Sequence, residues 1–189
     1  MLQQDNHFST ADLTRMAICI ALLCVSAWIS FPLPLTPAPV TAQTLMINLI
    51  GFLMLPKRAF ATVGIYLFMG AIGLPILSGG AGGPAKLFGP TGGFLLGFLL
   101  AVPLISFVNQ KLRRWISNDF TRFLIVSIGV SIPVIDLFGG LYMAVTNQMN
   151  FTAVIMAAAV PFLFGDILKC VAASFVAVAL QKVMRRQVC

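Results

Sequence analysis

The sequence predicts an all-α integral membrane protein, a single membrane domain over residues 1–189 with six transmembrane helices and both termini cytoplasmic. Three observations lead there. Apolar residues make up 59% of the 189 positions and charged residues 9%, against roughly 25% charged in a soluble domain. The apolar residues fall into runs of spanning length, since about 20 such residues cross a hydrocarbon core. The basic residues gather in alternate connections, the asymmetry that sets membrane orientation. Mean hydropathy is +0.99, and there is no glutamate at all. Five acids and twelve bases cannot cover the surface of a soluble protein of this size.

The elements follow from punctuation by proline, glycine and basic clusters. The first helix is expected over 13–30. Its flanking segment carries Asp5 and Asp12, without the basic start or small-residue cleavage site of a secretory signal, so it reads as a retained span. The segment 31–40 holds Pro32, Pro34, Pro37 and Pro39 and cannot be helical. A short second helix is expected over 41–55, with Pro56, Lys57 and Arg58 as a tight turn. The third helix is expected over 59–74. A glycine-rich loop over 75–89 contains Gly79, Gly80, Gly82 and Gly83. The fourth helix, 90–108, runs into Lys111, Arg113 and Arg114. The fifth is expected over 123–145. An outer segment over 146–160 includes a short apolar stretch that fits an interfacial helix. The sixth, 161–181, opens on Pro161, a residue suited to a first helical turn, and ends before Lys182, Arg185 and Arg186. With the N-terminus inside, ten of the twelve bases fall on the inner side and only Lys86 on an outer loop. Five or seven helices would put the C-terminal bases opposite the others. The three elaborated loops then share the outer face, where ligand-binding loops are expected.

Net charge of +7 therefore reflects topology rather than nucleic-acid binding. Cys19, Cys24, Cys170 and Cys189 form no C-x-x-C pair and read as small core hydrophobes, with no disulfide or metal site. His7 sits in a polar tail and reads as solvated.

Ionisable groups inside a membrane are costly and mark functional sites by default. Three are present: Asp136, Asp166 and Lys169. Asp166 and Lys169 stand three apart and share one helix face; their charges cancel, which lowers the cost of burial. The pair reads either as a plain intrahelical ion pair or as a recognition pair, Asp166 accepting N–H groups and Lys169 donating to a carbonyl or carboxylate. Asp136, in a helix loosened by Pro133, Gly139 and Gly140, reads either as a packing residue or as part of the same site. Two aspartates on neighbouring helices also permit an intramembrane aspartyl hydrolase sharing one proton, against which Lys169 argues by keeping Asp166 ionised. The glycine-rich loop and Gly89-Pro90-Thr91-Gly92-Gly93 allow close backbone approach to a ligand at a helix start, or form a tight turn between helices; no G-K-[ST] follows, so this is not a nucleotide-binding P-loop. Ala17 and Ala21 form a small-xxx-small face that serves internal packing or docking of another membrane protein.

The run from Gly73 through the 79–83 glycines to Gly89-Pro90-Thr91-Gly92-Gly93, together with Pro39-Val40-Thr41-Ala42-Gln43-Thr44 and Pro161-Phe162-Leu163-Phe164-Gly165-Asp166-Ile167-Leu168-Lys169, strongly resembles BioY, the biotin-specific substrate-binding family of energy-coupling factor (ECF) transporters. Order, spacing and membrane position agree over about 13–182. The resemblance implies a six-helix S component, an uptake component and not an enzyme, that captures biotin from outside in the bacterial cytoplasmic membrane. It implies a pocket near the outer leaflet among the fourth, fifth and sixth helices, under extracellular loops. Carried over by position, the ligand-binding candidates are Gln43, Gly79, Gly80, Gly82, Gly83, Thr91, Asp166 and Lys169. Two candidates mark departures: Phe94 stands where the family usually carries Tyr, and Asp136 where an aromatic residue is common. Ala17 and Ala21 would dock to the transmembrane T component, and two cytoplasmic ATPase subunits would complete the transporter; no cofactor is implied. Biotin's ureido ring offers two N–H donors and a carbonyl, which Asp166 and Lys169 match. Lys169, or the 89–93 backbone, facing the valerate carboxylate stays open as the opposite orientation. Phe94 would cover the thiophane ring. The other readings are an S component for another vitamin such as thiamin or riboflavin, the aspartyl enzyme, and a scaffold without ligand.

Overall fold

A computed structural model describes residues 9–31, 39–148 and 160–186. Helix α1 (Thr10–Trp28) starts at a capping box: Ser9 Oγ accepts from the Asp12 amide while the Asp12 carboxylate accepts from the Ser9 amide, satisfying two donors a helix start leaves open. Asp12 also takes Arg58 Nη1 at 2.7 Å, tying the start of α1 to the start of α3. After α1, strands β1 (Ser30–Phe31) and β2 (Val40–Thr41) pair antiparallel, a two-residue β element that the all-α expectation did not contain. The pairing closes the base of the proline-rich segment; residues 32–38 of that segment lie outside the described residues.

Helix α2 (Gln43–Leu53) and helix α3 (Pro56–Ala71) are separated by only two residues. Pro56 is not part of a free turn as expected; it is the first residue of α3. Its fixed φ and missing N–H suit that position. The glycine-rich segment is not one open loop. Leu77 bridges Ala81, Gly79 and Gly80 take φ of 76° and 71°, and helix α4 (Pro84–Leu87) follows. The positive φ values are open to glycine at no steric cost, and the turn they make lets the Gly79 amide donate to the Ala27 carbonyl at 3.0 Å.

Helix α5 (Gly92–Leu112) continues four residues beyond the expected end, since Lys111 is favourable near the negative C-terminal end of a helix dipole. Helix α6 (Asp119–Val126) starts earlier than expected because Asn118 caps it, accepting from the Phe120 and Thr121 amides. The helix then widens into a π segment over Ser127–Ser131 and resumes as α7 (Ile132–Asn147). Pro133 lies at the resumption and has no N–H for the preceding turn, a local cause for the widened register. Helix α8 (Val160–Arg186) closes the chain. The expected interfacial helix in 151–160 lies outside the described residues up to Val160, which opens α8. Cys189 and His7 lie outside them as well.

Among the described residues, four helical stretches are long and apolar enough to cross a membrane: Thr10–Trp28, Gly92–Leu112, Asp119–Asn147 and Phe162–Met184. α2 and α3 are shorter, at 11 and 16 residues. The core lies where α2, α3, α5 and α8 meet, around Ile47, Ile50, Val63, Tyr66 and Ile105, with Phe52 of α2 stacked on Phe123 of α6 at 4.4 Å. Helix α5 packs extensively on α7, with glycines at the contact: a Cβ at Gly93 would lie 2.2 Å from Tyr142 Cβ, and one at Gly97 3.1 Å from Ile135 Cα. Outward positions are apolar instead of charged: Val25, Phe68, Leu141, Leu168 and Phe175 are all exposed. That inversion of the soluble pattern is what a lipid-facing surface requires.

Candidate functional site

One narrow cavity collects the chemistry, at the end of the bundle that carries the proline- and glycine-rich segments. It holds about 50 Å³ of solvent-sized space within about 490 Å³ of non-atom volume. Each wall comes from a different part of the chain. β2 and the start of α2 bring Thr41, Gln43 and Thr44; the bridge of the glycine-rich segment brings Ser78; the start of α5 brings Thr91, Phe94 and Phe98; α7 brings Ile135 and Asp136; α8 brings Phe162, Asp166 and Lys169.

The charged floor is built on one face of α8. Lys169 Nζ donates to Asp166 Oδ1 at 2.6 Å, and both side chains are largely buried, at 15% and 7% exposure. The i,i+3 spacing alone brings the two groups to the same face, and burial holds them together because neither can be left unpaired cheaply. Asp136 faces the same cavity from α7 and lies within electrostatic reach of both charges. The two aspartates thus approach one space, but Asp166 is engaged by an ammonium, which is the arrangement of an ion pair and not of two carboxyls sharing a proton.

The polar wall opposite is a relay. Gln43 Nε2 donates to Tyr66 Oη at 2.7 Å, and Tyr66 Oη donates to the Ile76 carbonyl at 2.8 Å. The relay connects α2, α3 and the glycine-rich segment, and it fixes Gln43 at the cavity wall while anchoring the backbone two residues before Ser78. Thr91 precedes α5, but its hydroxyl makes no capping bond to its own helix and lines the cavity. The apolar wall is aromatic. The Phe94 and Phe162 rings lie 5.8 Å apart at 47°, and Phe94 fills the space over Gly139, where a Cβ would sit 2.3 Å from its ring. Tyr142 Oη donates to the Phe88 carbonyl at 3.0 Å, holding the chain before α5 against α7.

Of the residues singled out from sequence, Gln43, Thr91, Phe94, Asp136, Asp166 and Lys169 come together around this cavity. Gly79, Gly80, Gly82 and Gly83 do not line it. They shape the turn beside it: Gly80 packs on the Trp28 ring and Gly82 on the Leu74 carbonyl. Ala17 and Ala21 lie elsewhere, on an exposed face of α1. Sequence reasoning missed Thr41, Thr44, Ser78, Phe98 and Phe162 as lining residues and Tyr66 as the relay. Phe98 was recoverable from its i+4 spacing to Phe94. Tyr66 was recoverable as one of only two tyrosines, a hydroxyl in an otherwise apolar helix that needs a partner when buried.

Outside the cavity, Lys86 of α4 is partly buried, and the loss of water pulls its ammonium pKa below the usual lysine value.

A cavity with this donor and acceptor set suits a small ligand with an apolar body and both N–H and carbonyl groups. Comparison with known proteins agrees with that chemistry. The model of the BioY family matches residues 2–186. The biotin transporter BioY2 of Lactococcus lactis is 31% identical over 89% of this chain and 89% of its own. The biotin transporter BioY of Thermotoga maritima is 32% identical over 90% of this chain and 96% of its own. Among solved structures, the S-component for biotin from an ECF-type ABC transporter superposes with a TM-score of 0.85 at 26% identity, covering 93% of this chain and 95% of that one. Family match, relatives and fold converge: this chain is a member of the BioY family.

Proposed function

We propose that this protein is the S component of an ECF-type transporter and captures biotin for uptake across the bacterial cytoplasmic membrane. The observation that carries the reading is the buried Asp166–Lys169 pair at 2.6 Å, set opposite Gln43 and Thr91 in one cavity of a BioY-family chain. The ureido N–H groups of biotin suit the Asp166 carboxylate and the ureido oxygen suits Lys169 Nζ. Phe94 and Phe162 suit the thiophane ring and the valerate chain. The cavity is narrow, so loading involves an outward shift of the 76–83 segment or of the β1–β2 element.

In this reading α2 and α3 complete six spans, with both termini in the cytoplasm and the cavity facing outward. The charge asymmetry of the connections supports it. The exposed Ala17–Ala21 face of α1 is the docking face for a T component, and two ATPase subunits energise transport.

The test is biotin binding to detergent-purified protein, by calorimetry or radiolabel, with Asp166→Asn and Lys169→Ala beside the wild type. Tight binding weakened more than tenfold by each substitution, about 1.4 kcal/mol, establishes the capture role. A well-folded wild type that binds no biotin sinks it.

A further inference from the structure

At the opposite end of the bundle, α5 carries a second arrangement that the outer cavity does not use. Leu96, Leu100 and Leu104 are exposed at 41%, 40% and 43%. Their spacing makes one stripe along the helix. The stripe continues into Phe107 and then meets Lys111 one turn on, with Arg113 and Arg114 just past the end of α5. Phe107, Gln110, Lys111, Arg113 and Arg114 line a groove of about 390 Å³, and Trp115 beside it is 82% exposed. Residues 111–122 hold four bases and one acid.

The groove does not end at α5. Gln110 and Arg113 also line a neighbouring hollow of about 200 Å³, shared with Asn109, Arg122 and Gln181. There Arg122 is almost wholly buried, donating from Nε to Asn109 Oδ1 at 2.9 Å and pairing with Asp119. Gln181 spends its Nε2 on the Phe52 carbonyl at 3.5 Å. The two hollows share Gln110 and Arg113, and the stripe and the cations together suit one occupant with an apolar chain and an anion.

We propose that this groove is a binding site for an anionic phospholipid. One acyl chain lies along the Leu96–Phe107 stripe. The phosphate sits between Arg113, Arg114 and Lys111, which match it as charge-assisted donors. Trp115 sits at the headgroup level, where its amphipathic ring is favoured. A soluble anion accounts for the cations but not for the apolar stripe that feeds them. A membrane-surface charge effect accounts for the cations but not for the groove that gathers them beside Phe107. The inference needs only the membrane reading, so lipid retention and biotin binding fail separately.

Trp28→Phe leaves Trp115 as the sole tryptophan and a reporter for the groove. The full-length variant is reconstituted in phosphatidylcholine bilayers containing a minor fraction of brominated phosphatidylglycerol, brominated phosphatidylmethanol (the same charge without hydroxyls) or brominated phosphatidylcholine. Both anionic lipids should quench Trp115 more strongly than phosphatidylcholine. Arg113→Gln with Arg114→Gln should erase the preference of both anionic lipids over phosphatidylcholine, with apparent affinity falling about fivefold for each arginine removed. Far-ultraviolet circular dichroism and a single gel-filtration peak report that the same variants are folded. Equal quenching by all three lipids overturns the proposal. So does relief of quenching by soluble glycerol phosphate, which would assign the groove to a free phosphate ester, or an anionic preference that survives loss of both arginines.

Discussion

Lys169 Nζ meets Asp166 Oδ1 at 2.6 Å one turn apart on α8, so the cavity floor presents a donor and an acceptor that neutralise each other. Opposite charges held this way can be buried as a pair and offered to a neutral polar ligand, whereas either alone could not.

Breaking the pair one side at a time should therefore cost more than removing it. Lys169→Met strands a carboxylate and should destabilise the protein by about 3 kcal/mol, while Asp166→Leu with Lys169→Met should recover most of that loss. Thermal unfolding without biotin separates the two. If the double variant is as unstable as the single one, the pair is not an isolated electrostatic unit.

Tyr66→Phe removes one hydroxyl from the relay that joins Gln43 to the Ile76 carbonyl. The buried Gln43 amide and the part-buried Ile76 carbonyl lose their bond, at about 1–3 kcal/mol. The 76–83 segment loses its anchor, so biotin dissociation should speed up more than association changes. Stopped-flow binding kinetics check this; an unchanged off-rate would show that the relay does not hold the ligand in through the 76–83 segment.

Gly139→Ala places a Cβ 2.3 Å from the Phe94 ring. Overpacking of this kind costs about 1–3 kcal/mol, and the displaced ring is driven toward the cavity, lowering biotin affinity. Phe94→Leu in the same background should restore part of the stability, a coupling that a double-mutant cycle in thermal unfolding would read.

Ala17→Leu with Ala21→Leu alters an exposed face of α1 remote from the cavity. Biotin binding by the isolated protein should stay within about twofold of wild type. Co-purification with a T component and biotin uptake by cells carrying the complete transporter should fall sharply, because small residues are what let two membrane helices approach. Undiminished co-purification would move the docking face elsewhere.

Much of the fold was readable because membrane burial imposes coarse, repeated rules: apolar runs, basic connections and proline breaks. The errors came where local chemistry decides a boundary. Pro56 opens a helix that the basic pair after it suggested was a turn, and Asn118 caps a helix whose polar first turn looked like loop. The π segment at Ser127–Ser131 leaves no signature in apolar spacing. The glycines at 79–83 announced close backbone approach correctly in kind, yet the approach is to Ala27, Trp28 and Leu74 rather than to the cavity.

The sequence by itself determined the environment, the helical class and the Asp166–Lys169 pairing, because composition and i,i+3 spacing act within a single segment. Only the tertiary structure decided that Gln43, Thr91, Phe94 and Asp136 share one space with that pair, that Tyr66 holds the wall, and that Gln181 ends beside Arg113. These meetings join residues far apart in the chain, and they depend on how closely α5 packs on α7 and α2 on α8, a matter of interlocking side-chain shape that no single stretch of sequence specifies.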